Sequence, residues 1–271
     1  MLSNKPSAII IFTKVPKKGL VKTRLEHPNL ESDFQANLQR AMIKDTILCL
    51  NQLKIDFIPM LVFYPEENYE LLQRSVINQL EPICPDFISR IHFIPQKGTT
   101  IAERFANSFR AAFDEFQVSS ALIIGSDTPH LQPYLLQESV RILQQEPNNA
   151  ILGPSPRNGF YLLGIPHMIP YLDRILGASN ELIGSMKVLA KSKLKVHILP
   201  ELTDIDTISD LITVRTYIKL FSYQVALSLP YYIPQFTNQV LDSLSEKIWE
   251  EADQIHRSKA NETWHYEGNA D

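Results

Sequence analysis

Ala8-Ile9-Ile10-Ile11-Phe12-Thr13-Lys14-Val15-Pro16-Lys17-Lys18-Gly19-Leu20-Val21-Lys22-Thr23-Arg24-Leu25 decides how this chain folds. Ala8–Phe12 is apolar at every position, the pattern of a strand buried on both faces of a sheet. A Pro/Gly loop then carries five basic residues and no acidic one. In open α/β sheets, ligands gather beyond the carboxyl ends of the strands. A cationic loop in that place suits phosphate oxygens, which an Arg fork grips through two parallel bonds. A solvated basic loop is the plain alternative.

The same alternation continues outward from this stretch. Helical spacing over 32–53 is followed by strand-like Asp56–Tyr64, a helical pattern over Glu66–Leu80 and a short strand at Arg90–Ile94. The next helix, predicted from Thr100 to Phe116, repeats Ile101, Phe105, Phe109, Phe113 and Phe116 every three or four residues. Thr100 and Glu103 form its capping box. Ala121–Gly125 reads as another buried strand, and a helix is predicted from Pro133 to about Gln145. Ala150–Gly153 and Phe160–Ile165 read as strands around a loop. Leu194–Leu199 is the last predicted strand, and Thr207–Leu220 the helix after it. Strands interleaved with helices predict an α/β three-layer sandwich with a mostly parallel sheet.

The composition shifts near Phe221, so residues 1–220 are expected to form the main domain and 221–271 a helical appendage with a polar tail from Ser258. Tyr223, Tyr231, Phe236 or Trp249 would pack the appendage on the domain. This aromatic segment also offers a partner surface, and a homodimer is one use of it.

The chain has 271 residues and a net charge of −4, which argues against a general nucleic-acid binder. The cysteines Cys49 and Cys84 show neither zinc nor disulfide spacing, so a reducing, cytoplasmic setting is expected. No apolar run approaches the ~20 residues of a membrane span.

Two acidic turns face the basic loop in this scheme. Gly125-Ser126-Asp127-Thr128-Pro129 puts Asp127 just past a buried strand. Thr203-Asp204-Ile205-Asp206-Thr207 puts Asp204 and Asp206 past the last one. Carboxylates at one sheet edge can share Mg²⁺ or Mn²⁺ with a diphosphate. Helix capping competes for Asp206 and Thr207.

These residues fall in ordered blocks. Thr13-Lys14-Val15-Pro16 precedes Gly19-Leu20-Val21-Lys22-Thr23-Arg24-Leu25. Then come Gln96-Lys97-Gly98 with Glu103-Arg104, Gly125-Ser126-Asp127-Thr128-Pro129-His130-Leu131, and Asp204-Ile205-Asp206-Thr207-Ile208-Ser209-Asp210-Leu211. Over residues 8 to about 220 the chain resembles the bacterial GT-A-like transferases of the DUF2064 type. These are labelled rSAM/selenodomain-associated transferase 1 or arsenosugar-biosynthesis glycosyltransferase, and are relatives of the molybdenum-cofactor and phospholactate nucleotidyltransferases.

The resemblance implies a GT-A nucleotide-diphospho-sugar transferase fold. It also implies a metal-dependent transfer from a nucleotide sugar to a small acceptor. Lys14, Lys22, Thr23 and Arg24 would hold phosphates. Asp127, with Asp206 and Asp204, would hold the metal, and Asp127 and Arg24 would carry the chemistry. Two other readings stay open: nucleotidyl transfer from a nucleoside triphosphate with pyrophosphate release, and a donor-binding homologue that has lost activity. The chain departs from the family at Gly153-Pro154-Ser155-Pro156-Arg157-Asn158-Gly159-Phe160-Tyr161-Leu162. Arg157 replaces an acid there and Asn158 a glycine, so this pair would contact a phosphate or carboxylate on the acceptor. The family's tryptophan-serine-threonine segment is also missing, with Gly177-Ala178-Ser179-Asn180 in its neighbourhood.

Overall fold

The computed structural model describes residues 5–25, 27–176 and 180–263, with side chains to 257. Among the described residues, seven strands form one sheet: β1 (Ser7–Lys14), β2 (Phe57–Tyr64), β3 (His92–Pro95), β4 (Ser120–Gly125), β5 (Asn149–Ser155), β6 (Gly159–Ile165) and β7 (Lys195–Ile198). Their order is β3-β2-β1-β4-β6-β5-β7, and β6 alone runs antiparallel to its neighbours. The apolar runs of β1, β2 and β4 occupy the centre because both faces of the sheet are covered.

The longer helices are α1 (Phe34–Asn51), α2 (Ile101–Arg110), α3 (Pro133–Gln145), α4 (Glu181–Lys191), α5 (Ile208–Ala226), α6 (Gln235–Asp242) and α7 (Glu246–Thr263). The predicted capping box of α2 is present, with Thr100 Oγ1 accepting from Glu103 N–H and Glu103 accepting from Thr100 N–H. Ala111–Glu115 then continues that helix as a π turn. Helix α4 had no sequence expectation. Residues 177–179 of the neighbouring segment lie outside the described residues, as do residues 264–271 of the predicted tail.

The helix predicted to stop at Leu220 runs on to Ala226, through the compositional shift at Phe221. Beyond it, α6 and α7 pack on α1 and α5. Phe236 and Trp249 join the core as expected, and Tyr231 stacks on Phe221 with ring centroids 5.0 Å apart. Tyr223 does not join the core. It is 62% exposed, because it shares the solvent face of α5 with Leu220.

A third apolar cluster, separate from the two that sandwich the sheet, positions the site. Leu25 from the basic loop, Phe34, Leu38 and Met42 from α1, Ile205 and Leu211 from the acidic segment, and Leu241 and Ala252 from α6 and α7 pack together in it. Both charged loops rest on this cluster.

Asp45, fully buried on α1, ties down the C-terminal helices. Its two carboxylate oxygens accept the backbone N–H groups of Phe236 (3.1 Å) and Thr237 (2.6 Å) at the start of α6. Its own carbonyl accepts from the Tyr232 hydroxyl at 2.7 Å. Burial pushes the Asp45 carboxyl from 3.8 up to about 6. A raised carboxyl stabilises the fold fully below its unfolded value, and that contribution fades as pH rises through about 6. The loss is at most about 3 kcal/mol. Asp45→Asn should therefore gain on the natural protein between pH 4 and pH 7 in paired melting curves. A constant gap between the two melting temperatures would rule out this titration.

Candidate active site

The carboxyl ends of β1 and β4 lie side by side, with Phe12 in register with Gly125. The basic loop leaves one strand there and the Asp127 turn leaves the other. The second acidic turn reaches the same edge, because Ile205 N–H donates to the Asp127 carbonyl at 2.9 Å. The result is a cleft of about 540 Å³ lined by Lys14, Lys22, Thr23, Arg24, Asp127, Asp204 and Asp206, among others.

Lys22 stands at the centre of the charges. Its side chain is 5% exposed. Its ammonium lies 2.6 Å from Asp127 Oδ2, 3.5 Å from Asp206 Oδ1 and 2.6 Å from the Ile205 carbonyl oxygen. Arg24, largely exposed, pairs with Asp206 at 3.1 Å. Leu25 beside it is fully buried and anchors that end of the loop. Lys14 and Thr23 are exposed at the rim.

Asp127 is aimed from behind by a buried polar relay. Gln39 Nε2 donates to Ser126 Oγ (2.9 Å) and to Thr13 Oγ1 (3.2 Å), and the two hydroxyls lie 2.8 Å apart. Ser126 Oγ in turn donates to Asp127 Oδ1 at 3.1 Å. Sequence reasoning missed this relay. The signal was a glutamine on the apolar face of α1, beside Leu38 and Met42.

Arg157 is held within the protein. Its guanidinium meets Asp210 through two bonds (2.9 and 3.2 Å) and Asp204 at 3.4 Å. Asp210 also closes the capping box of α5, accepting from the N–H groups of Asp206 and Thr207. Arg157 thus clamps the acidic turn to its helix. Both it and Asn158 adopt φ +62°, and the Asn158 carbonyl accepts from Leu182 N–H. Asparagine tolerates this left-handed backbone better than most residues, which explains how it stands in for glycine.

Carboxylate oxygens are the donor type that Mg²⁺ and Mn²⁺ select, and Asp127, Asp204 and Asp206 line one cleft. Burial, then the charge of Asp206, pushes the Asp204 carboxyl up to about 6 despite the opposing pull of Arg157, and Asp127 adds to the rise. Among the described residues, no group of three acidic, His or Cys side chains is disposed to hold an ion. Lys22 fills the space between Asp127 and Asp206.

His130 is buried, and among the described residues its two ring nitrogens have no hydrogen-bond partner. It stacks on Tyr217, and burial lowers it to about 4, so it stays neutral. Among the described residues, no helix is long and apolar enough to cross a membrane.

Residues 52–175 match the family described as "Uncharacterized protein conserved in bacteria (DUF2064)". No curated protein matches the sequence. Among solved structures, the chain is similar to a "putative nucleotide-diphospho-sugar transferase" from Desulfovibrio desulfuricans G20. The identity is 25% and the TM-score 0.70, over 93% of this chain and 97% of that one. It also shares its fold with a 4-diphosphocytidyl-2C-methyl-D-erythritol synthase from Anaerococcus prevotii DSM 20548. That identity is 12% and the TM-score 0.50, over 79% of this chain and 96% of the other. The chain carries the DUF2064 family match in residues 52–175, on the α/β fold of the nucleotide-diphospho-sugar transferases.

Proposed function

We propose that this protein transfers a group from a nucleotide-diphosphate sugar to a small acceptor, with Mg²⁺ or Mn²⁺. The observation that carries the reading is the meeting of Lys22, Asp127 and Asp206 at the adjoining ends of β1 and β4. Asp127, Asp206 and Asp204 would hold the ion. When bound, the ion neutralises the leaving diphosphate. The protein itself binds and orients. Lys14, Thr23 and Arg24 grip phosphate oxygens from the rim, while the Gln39–Ser126 relay fixes the Asp127 carboxylate. Positioning and charge stabilisation of this kind supply most of the catalysis in such transfers. Arg157 and Asn158 border the site, where acceptor contact would come from the exposed part of the Arg157 guanidinium. Cys49 and Cys84 are both buried and free, which suits a cytoplasmic setting.

A thermal-shift panel of nucleotide sugars and nucleoside triphosphates with either metal tests the reading, since a ligand specific for the native state raises the melting temperature. Release of a nucleoside diphosphate in a turnover assay would support sugar transfer. Pyrophosphate release would establish nucleotidyl transfer instead, and binding without turnover an inactive homologue. Arg24→Ala should weaken the best donor roughly ten- to a hundred-fold, the worth of a charge-assisted contact of about 1.5–3 kcal/mol. Lys17→Ala and Lys18→Ala should cost far less, because Lys18 already pairs with Asp33 in solvent and Lys17 is exposed. Equal losses for all three in calorimetric titration would reduce the loop to diffuse charge.

A further inference from the structure

Arg104 lines the same cleft from the opposite side, near the carboxyl end of β2. Its guanidinium lies over the Tyr64 ring, 3.9 Å from the centroid. Its Nε is buried without a hydrogen-bond partner, and the whole group has no ion pair among the described residues. This contrasts with Lys22, Arg24 and Arg157, each of which is already paired with an aspartate. Gln96 stands on the same side. Its amide nitrogen is committed to the carbonyls of Thr13 and Val62, which holds the end of β3 against the two central strands.

Tyr64 pairs in register with Lys14, so β1 separates it from the strand that leads to Asp127. Two strand spacings of about 4.8 Å each therefore part Arg104's platform from the acidic end. A nucleoside diphosphate laid across the strand ends with its phosphates at the Lys22 side would bring its base to this one. A guanidinium can only donate, and stacking on Tyr64 fixes its plane, so its free edge selects acceptors. Guanine and uracil present a ring carbonyl where adenine and cytosine present an amino group.

We infer that Arg104, held on Tyr64, reads the base of the donor and selects keto bases, guanine or uracil, over amino bases. This rests on the donor-binding reading above. Calorimetric titration of the full chain with GDP, UDP, ADP and CDP in Mg²⁺ tests it. The natural protein should bind at least one keto nucleotide roughly ten-fold or more tighter than either amino nucleotide. Arg104→Gln should erase that preference while leaving ADP and CDP affinities within about two-fold. Arg104→Lys, which keeps the charge and loses the fork, should behave likewise. Unchanged melting temperatures would show that both variants fold. Equal loss for all four nucleotides in either variant would overturn base selection, as would tight ADP or CDP binding by the natural protein. Failure of the natural protein to bind any of the four would overturn the donor-binding reading itself, and this inference with it.

Discussion

Lys22→Met is expected to lower the melting temperature by about 5–10 °C. The substitution keeps the length of the stem and removes the ammonium that Asp127, Asp206 and the Ile205 carbonyl share. Breaking a fully buried pair costs about 3–5 kcal/mol. Asp127 and Asp206 keep 39% and 28% of their side chains exposed, so water relieves part of that penalty. About 2–3 kcal/mol remains, and a chain of this size shifts by roughly 2–4 °C per kcal/mol. The double variant Lys22→Met/Asp127→Asn should recover part of the loss, and the size of the recovery measures the coupling. The vacated carboxylates should also respond to Mn²⁺ alone, so the ion should raise the melting temperature of Lys22→Met more than that of the natural protein. A variant that melts with the natural protein would mean the ammonium is a solvated rim contact. A loss of stability without a gain in metal response would separate Lys22's structural role from any competition with a cation.

The features legible in the sequence are those whose meaning is local. The uninterrupted apolar run at Ala8–Phe12 predicted a central strand, and it is one. Thr100 and Glu103 predicted a capping box within one turn of helix, and it forms. Asp127 and Asp206 read as strand-end acids, and the fold brings them to one ammonium. What escaped depends on partners far along the chain. Asp45 meets Thr237 across 192 positions, and nothing near Asp45 distinguishes it from a solvent-facing helix residue. Gln39 is polar in an apolar helix because Thr13 and Ser126 converge on it from two strands. Lys22 looked like one cation among five, and the groups that surround its ammonium, Asp127, the Ile205 carbonyl and Asp206, lie more than 100 positions along the chain. Arg157 read as an acceptor contact, and its two bonds to Asp210, 53 positions away, were not visible from the residues around it.

The compositional break at Phe221 suggested a helical appendage packed on the main domain, and truncation after Ala226 tests that packing with the largest effect of all. Removing α6 and α7 takes Leu241, Ile248 and Ala252 out of the structure, each of them at most 1% exposed. It uncovers Phe34, Leu38 and Met42 on α1 and Leu211, Val214 and Ile218 on α5. The shortened chain is expected to melt more than about 10 °C lower or to aggregate, as exposed apolar clusters of this size do. Leu241→Ala gives the milder form: a cavity cost of about 2–5 kcal/mol, or roughly 5–15 °C. Because Leu25 and Ile205 rest on the same cluster, that cavity should also loosen the loops that carry Arg24 and Asp206. Val140→Ala supplies the comparison, since Val140 is equally buried on α3 but belongs to a cluster under the sheet. Nucleotide affinity, read by calorimetry well below both melting points, should fall in Leu241→Ala and hold in Val140→Ala. If Leu241→Ala melts with the natural protein, the C-terminal helices are not part of the core. If it melts lower but binds as tightly, they stabilise the fold without shaping the site.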